Sequence, residues 1–275
     1  MVVYIKRKRV VVGIAAVVLI LAAAAFAYKA DLLNFRQDVR VLRKTGMLAA
    51  LEIKHAVMGT DEKPGYVPIL MYHSINDSPV GEPSFTVDTK DFEKQIAYLA
   101  DNGYTPIDFD ALKDAGQYKK PILLTFDDGY EDNYDKAYPI LKKYDMKATI
   151  FIVSEYIGSP GYLNEDEMRE MGDIISFQSH TKSHSPLTDL TEPVLEQELS
   201  DSREAISKIT GKNVNVLSYP NGAYNEAVIK AAGRYYSWAV TTDFGYYYSG
   251  SPKLKLRRIA VLNSETMKDF IGKVR

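Results

Sequence analysis

The sequence predicts an α/β fold: a distorted or incomplete (β/α) barrel of about seven parallel strands, preceded by an N-terminal membrane helix. Three observations predict it. From Tyr66 onward, short apolar runs alternate with segments of helical period. Polar, chemistry-bearing residues cluster just after several of those runs. Near the start, a long uncharged stretch follows a basic cluster. Strands alternating with helices imply a parallel sheet with right-handed crossovers. An open doubly wound sheet is the alternative arrangement.

Residues 1–9 end in the basic cluster Lys6-Arg7-Lys8-Arg9. Residues 10–27, from Val10 to Ala27, carry no charge and reach the lower limit for spanning about 30 Å of hydrocarbon. The basic flank should stay cytoplasmic, which places everything after Tyr28 outside the cell. The apolar run exceeds the core of a usual signal peptide, so an uncleaved single-pass anchor is favoured. The alternative is cleavage at Ala25-Phe26-Ala27 and secretion. Residues 28–65 read as an amphipathic stalk helix, with Leu32, Phe35, Val39, Leu42, Leu48 and Leu51 at near-helical spacing, followed by the linker Gly59–Gly65. His55 in this stretch reads as a surface histidine.

Residues 66–275 form the expected catalytic domain. Strand candidates are Val67–Tyr72, Ile122–Phe126, Thr149–Val153, Ile174–Phe177, Val214–Tyr219, Trp238–Thr241 and Arg258–Leu262. Helix candidates are Thr89–Asn102, Asn133–Tyr144, Glu165–Met171, Pro193–Thr210, Asn225–Ala232 and Glu265–Val274. Asn164 with Glu167 forms an N-terminal capping pair, Pro193 suits a first helical turn, and Gly103, Gly211 and Gly233 suit helix ends.

Composition narrows the chemistry. The 275 residues are 46% hydrophobic and 25% charged, which excludes wholesale disorder. Net charge is -2, and four basic residues sit in the N-terminal cluster, so the external part is more acidic still. That balance speaks against a nucleic-acid partner. No cysteine is present, which removes disulfides, thiolate metal sites and thiol nucleophiles together. No glycine-rich phosphate loop is present, so no nucleotide cofactor is expected.

In parallel α/β folds, catalytic groups gather where strands end. Of the four histidines, His73, His180 and His184 fall at predicted strand exits. The second strand exits into Asp127-Asp128-Gly129-Tyr130, and the strand ending at Tyr219 exits into Pro220-Asn221-Gly222. Each motif alone is modest, since Asp-Asp-Gly is also ordinary turn chemistry. Together they are specific. Two imidazoles and one carboxylate form a three-ligand catalytic metal site, and an adjacent second carboxylate can serve as general base. Successive side chains on a strand point in different directions, so Asp127 and Asp128 can divide those roles.

Thr125-Phe126-Asp127-Asp128-Gly129 and His180-Thr181-x-x-His184 resemble the first two motifs of the polysaccharide deacetylases, the carbohydrate esterase family 4 or NodB-homology enzymes. The likeness runs from about Tyr66 to Leu262. It implies a distorted barrel and metal-dependent removal of N-acetyl groups from N-acetylglucosamine polymers, or of O-acetyl groups from xylan. Carried over by motif, Asp127 is the base, and Asp128, His180 and His184 hold the metal. Zn2+ is the first expectation, with Co2+, Fe2+ and Mn2+ as alternatives. Tyr219, Pro220 and Asn221 resemble the third motif, which lines the groove and offers an oxyanion a backbone N–H near Asn221. Leu256-Arg257-Arg258-Ile259 resembles the lead-in to the last motif.

Two departures stand out. Many members orient the base with an Arg where this chain has Ser218, and many supply an acid His after the last strand, where this chain has none. Met71-Tyr72-His73 matches the first-strand motif of the poly-N-acetylglucosamine deacetylases, which also lack that Arg and whose motif His is the acid. The resemblance therefore implies His73 as general acid. Trp238, Tyr246 and Tyr247 are candidate sugar-stacking residues. The expected partner is an acetylated glycan, poly-N-acetylglucosamine or peptidoglycan. The alternatives are an O-acetyl xylan esterase and a non-catalytic cell-wall glycan-binding protein.

Overall fold

The computed structural model describes residues 66–275. The expected segments 1–9, 10–27 and 28–65, with His55, lie outside the described residues. Among the described residues, no helix is long and apolar enough to cross a membrane.

Seven parallel strands close into a ring. In chain order the strands are β1 (Ile69–Tyr72), β2 (Ser74–Ile75), β3 (Thr86–Val87), β4 (Thr105–Pro106), β5 (Pro121–Phe126), β6 (Ala148–Ile152), β7 (Ile175–Ser179), β8 (Val216–Ser218), β9 (Trp238–Phe244) and β10 (Leu256–Ala260). Around the ring the order is β1-β10-β9-β8-β7-β6-β5, and β1 pairs with both β10 and β5 to close it. The seven ring strands are the seven expected from the sequence, within a few residues at each end. The open-sheet alternative falls with the closure. Missed were β2 and β3, which pair only with each other, and β4, which extends the sheet beyond β5.

Helices α1 (Thr89–Asp101), α2 (Tyr138–Lys143), α3 (Glu165–Glu170), α4 (Glu192–Thr210), α5 (Glu226–Ala232) and α6 (Met267–Val274) follow the pattern of the sequence. The α3 start is a capping box: Asn164 Oδ1 accepts from the Glu167 amide, and the Glu167 carboxylate accepts from the Asn164 amide. Gly211 ends α4 at φ 67°, a left-handed residue that costs glycine little. Gly233 ends α5 too, but with an ordinary right-handed backbone.

The period of two sorts the strand residues into two cores. Leu70, Tyr72, Leu124, Phe126, Ile150 and Ile152 face outward onto the helices. Ile69, Leu123, Phe151, Val216, Val240 and Leu256 face into the barrel, joined there by Phe109, Leu112 and Ala115. The last two belong to a 3-10 helix at Asp110–Gln117, unforeseen in the sequence, whose apolar residues plug the base of the barrel. Continuing the inward rows toward the strand exits replaces apolar side chains by polar ones: Leu123 gives way to Thr125 and Asp127, Val216 to Ser218, and Leu256 to Arg258. Base and mouth are thus successive layers of one interior.

Candidate active site

Asp127 continues the inward row of β5, so its carboxylate enters the barrel. Its neighbour Asp128 turns away because its backbone is left-handed, at φ 73°. Gly129 follows at φ 76°, and a Cβ there would meet Ile152 Cδ1 at 2.7 Å, so the motif requires glycine at this turn. Of the non-glycine residues with positive φ, Asp128, Thr181, His184 and Asn221 all lie in the loops that follow β5, β7 and β8 around this mouth. Backbone strain concentrated in this way is a mark of functional sites.

Asp128, His180 and His184 converge. Asp128 Oδ1 lies 3.4 Å from His180 Nε2 and 3.5 Å from His184 Nε2, and the three candidate ligand atoms all fall within 4.8 Å of one another. Tetrahedral ligands about 2.1 Å from one ion stand about 3.4 Å apart, so these residues fit a divalent cation. His180 Nδ1 sits 2.8 Å from the Ser218 carbonyl oxygen, which fixes the ring and turns Nε2 toward Asp128. Burial would push the His180 imidazole down, but Asp127 and Asp128 outweigh it and raise it. Burial would raise the Asp128 carboxyl, and His180 holds it low instead.

Asp127 is gripped by a residue that motif reading did not single out for this role. Arg258 Nη1 donates to Asp127 Oδ1 at 2.7 Å, and Nη2 donates to Oδ2 at 2.6 Å. Ser218 Oγ donates to Oδ2 at 3.2 Å and accepts from Arg258 at 3.0 Å. The position where many relatives carry an Arg therefore holds a serine, and the guanidinium arrives from β10 instead. A bulge in the β9–β10 ladder, between Leu256 and Arg258, accompanies this reach. Arg258 also donates to the Thr241 carbonyl and to Thr125 Oγ1, tying β9 and β5 to its own strand. Burial would raise the Asp127 carboxyl, yet Arg258 and His180 keep it well below the usual carboxylate range. The available signal was an arginine two residues after Leu256, on the inward parity of its strand.

His73 is half-buried at the exit of β1, its ring 4.4 Å from that of Phe85. It lies within electrostatic reach of Asp127, Asp128, Arg258 and His180. Burial pushes its imidazole below the ordinary value. Asn133 Nδ2 donates to the His73 carbonyl at 2.9 Å. Asp132 accepts from Ser74 Oγ at 2.6 Å and from the Ile75 amide at 3.2 Å, so the motif after β5 holds the segment after β1.

Other expected positions need correction. Tyr219 is fully buried, and its hydroxyl donates to the Leu254 carbonyl at 3.0 Å, so it faces the outer core rather than a groove. Pro220 is buried as well, while Asn221 is exposed at the β8 exit. The sugar-stacking residues are misplaced. Trp238 and Tyr247 pack edge to face, 6.3 Å apart, within the core at the base of the barrel. Tyr247 pairs with Val67, just before β1. Tyr246 donates its hydroxyl to the Lys273 carbonyl near the end of α6. Interior parity at the start of β9 buries Trp238, and the bridge to Val67 holds Tyr247 beside it, whereas a sugar platform needs the opposite end.

Comparison with known proteins agrees with this geometry. The family described as polysaccharide deacetylase matches residues 114–236. A Bacillus subtilis protein, YxkH, whose name places it among the polysaccharide deacetylases, is 41% identical over 207 residues, 73% of either chain. The poly-beta-1,6-N-acetyl-D-glucosamine N-deacetylase of Staphylococcus epidermidis is 31% identical over 168 residues, which cover 54% of this chain and 58% of that one. Among solved structures, the Streptococcus pyogenes deacetylase PplD in complex with acetate superposes with a TM-score of 0.72 at 32% identity, covering 78% of this chain and 100% of that one.

Proposed function

Because the chain belongs to the polysaccharide deacetylase family of hydrolases, we propose that it removes N-acetyl groups from an extracellular N-acetylglucosamine polymer, poly-N-acetylglucosamine or peptidoglycan. The observation that carries this reading is the buried Asp127–Arg258 pair set beside the Asp128–His180–His184 trio. A divalent cation held by that trio, with Zn2+ the first candidate, supplies Lewis acidity to a carbonyl oxygen and acidifies water.

The chain's own residues do the rest. Arg258 and Ser218 fix the Asp127 carboxylate in its ionised form with its plane set. Asp127 takes the proton from the attacking water. His73 hands a proton to the departing amine nitrogen, and burial, which lowers its pKa, makes the protonated ring a stronger donor. The backbone N–H near Asn221, in a loop held left-handed at φ 55°, is the proposed oxyanion donor. Water and amide become acetate and free amine. The acetate complex of the related PplD agrees with that product, and the name of the staphylococcal relative supports the polymer. The reading of residues 10–27 as an anchor behind the basic cluster Lys6-Arg7-Lys8-Arg9 supports a reaction outside the membrane.

The test is acetate release by the full chain from short β-1,6- and β-1,4-linked N-acetylglucosamine oligomers, with and without chelator. Release abolished by chelation and restored by Zn2+ is expected. No release from either series, or release indifferent to the chelator, overturns the reading. Release from acetylated xylan alone would favour the esterase.

A further inference from the structure

The trio of candidate ligands is held in two different ways. Asp128 directly follows the residue that extends β5, and His180 follows β7 with its ring locked by Ser218. His184 has no strand behind it. It ends a short loop, and that loop is bent left-handed twice, at Thr181 (φ 68°) and at His184 itself (φ 63°). A loop bent in this way keeps its shape only if something outside it grips the backbone.

One face of α4 does so. Glu198 is 6% exposed, and its Oε2 accepts from the amides of Lys182 at 3.0 Å and Ser183 at 2.9 Å. Its Oε1 accepts from Ser183 Oγ at 2.6 Å. Asp201, three residues on, pairs with Lys182 Nζ at 2.9 Å. Ser202, four residues on, shares a hydrogen bond with Ser179 Oγ at 2.9 Å, and Ser179 Oγ accepts from the Thr181 amide. Residues i, i+3 and i+4 share one helix face, so this whole face is turned onto the loop. Within the loop, Thr181 Oγ1 accepts from the His184 amide at 3.2 Å, which passes the clamp on to the ligand.

We propose that Glu198 is a positioning residue for the metal centre: by clamping the amides of Lys182 and Ser183 it sets the place of His184, and so sets metal affinity. The inference rests on the reading of Asp128, His180 and His184 as metal ligands. Residues that orient ligands from behind typically change metal affinity about 10- to 100-fold when removed. Glu198→Ala removes all three acceptor contacts. Glu198→Gln keeps the shape and one acceptor oxygen, so its effect should be smaller.

The experiment titrates the metal-free full chain with Zn2+ against a chromophoric chelator and records the visible spectrum of the Co2+-loaded protein. Ile206→Ala, buried two turns further along the same helix, is the control for a merely destabilised α4. Glu198→Ala is expected to bind Zn2+ about 10- to 100-fold more weakly and to alter the Co2+ bands, with Glu198→Gln intermediate. Ile206→Ala should lower the melting temperature and leave both readouts alone. A folded Glu198→Ala chain with wild-type Zn2+ affinity and wild-type Co2+ bands overturns the proposal. If that variant does not fold, Glu198→Gln decides by the same criterion. A wild-type chain that binds no Zn2+ overturns the metal reading itself, a separate outcome.

Discussion

The two ends of the barrel use the same seven strands for opposite purposes. At the base, inward positions carry Ile69, Leu123, Val216 and Leu256, closed off by Phe109 and Leu112. At the mouth, the next inward positions carry Thr125, Asp127, Ser218 and Arg258, all buried and joined into one hydrogen-bonded network through Arg258. The base is held by non-directional apolar burial, roughly 1.5–3 kcal/mol for each large side chain. The mouth is held by directional contacts that are costly to leave half made. Trp238 and Tyr247 lie in the base layer, so these two rings of the C-terminal third serve packing.

The sharpest way to probe this contrast is His180→Ala. It should take acetate release to background and abolish bound metal while the thermal unfolding transition stays cooperative. Metal retained at full stoichiometry would mean that the mouth is wrongly described. His73→Ala comes next, with a loss of about 100- to 10,000-fold in rate at unchanged metal content. Full rate in that variant would remove the acid from His73.

Asp127→Asn strands a buried guanidinium and should cost about 3–5 kcal/mol of stability, read by urea unfolding. Its pH dependence has a definite sign. The folded carboxyl is held below the ordinary value of 3.8, so the pair's contribution is complete above that value and disappears as pH falls through the folded one. The gap between wild type and variant should be flat above about pH 5 and narrow below about pH 4. A gap that widens in acid contradicts the pairing. Phe109→Ala, at the base, should cost about 3 kcal/mol while leaving metal stoichiometry intact. At the small end, Lys94→Ala breaks an exposed pair with Asp91 and should change stability by less than about 0.5 kcal/mol.

Much of this was legible in the chain. The seven ring strands announce themselves as apolar runs, and Asp127-Asp128-Gly129 with His180 and His184 are local motifs whose spacing carries their geometry. Arg258 was not legible as the partner of Asp127, because 131 residues separate them and the contact depends on barrel closure and a bulge. Glu198 was not legible as a clamp, because its contacts with Lys182 and Ser183 exist only once α4 packs against their loop. The 3-10 plug at Asp110–Gln117 has too few residues for a periodic signal. Trp238 and Tyr247 misled because an aromatic residue's type does not reveal which end of a barrel it occupies.

The Asp127–Arg258 contact bears on how related sequences should be judged. One guanidinium fastens β10 to β9 and β5, and reaches Ser218 on β8, from inside the ring. A descendant that had abandoned turnover would still be selected to keep that clasp, because losing either half endangers folding itself. Retention of this acid and this arginine is therefore poor testimony that a homologue works. The imidazole at 184, carried on a loop outside the ring of strands, is the position whose drift would betray a retired enzyme.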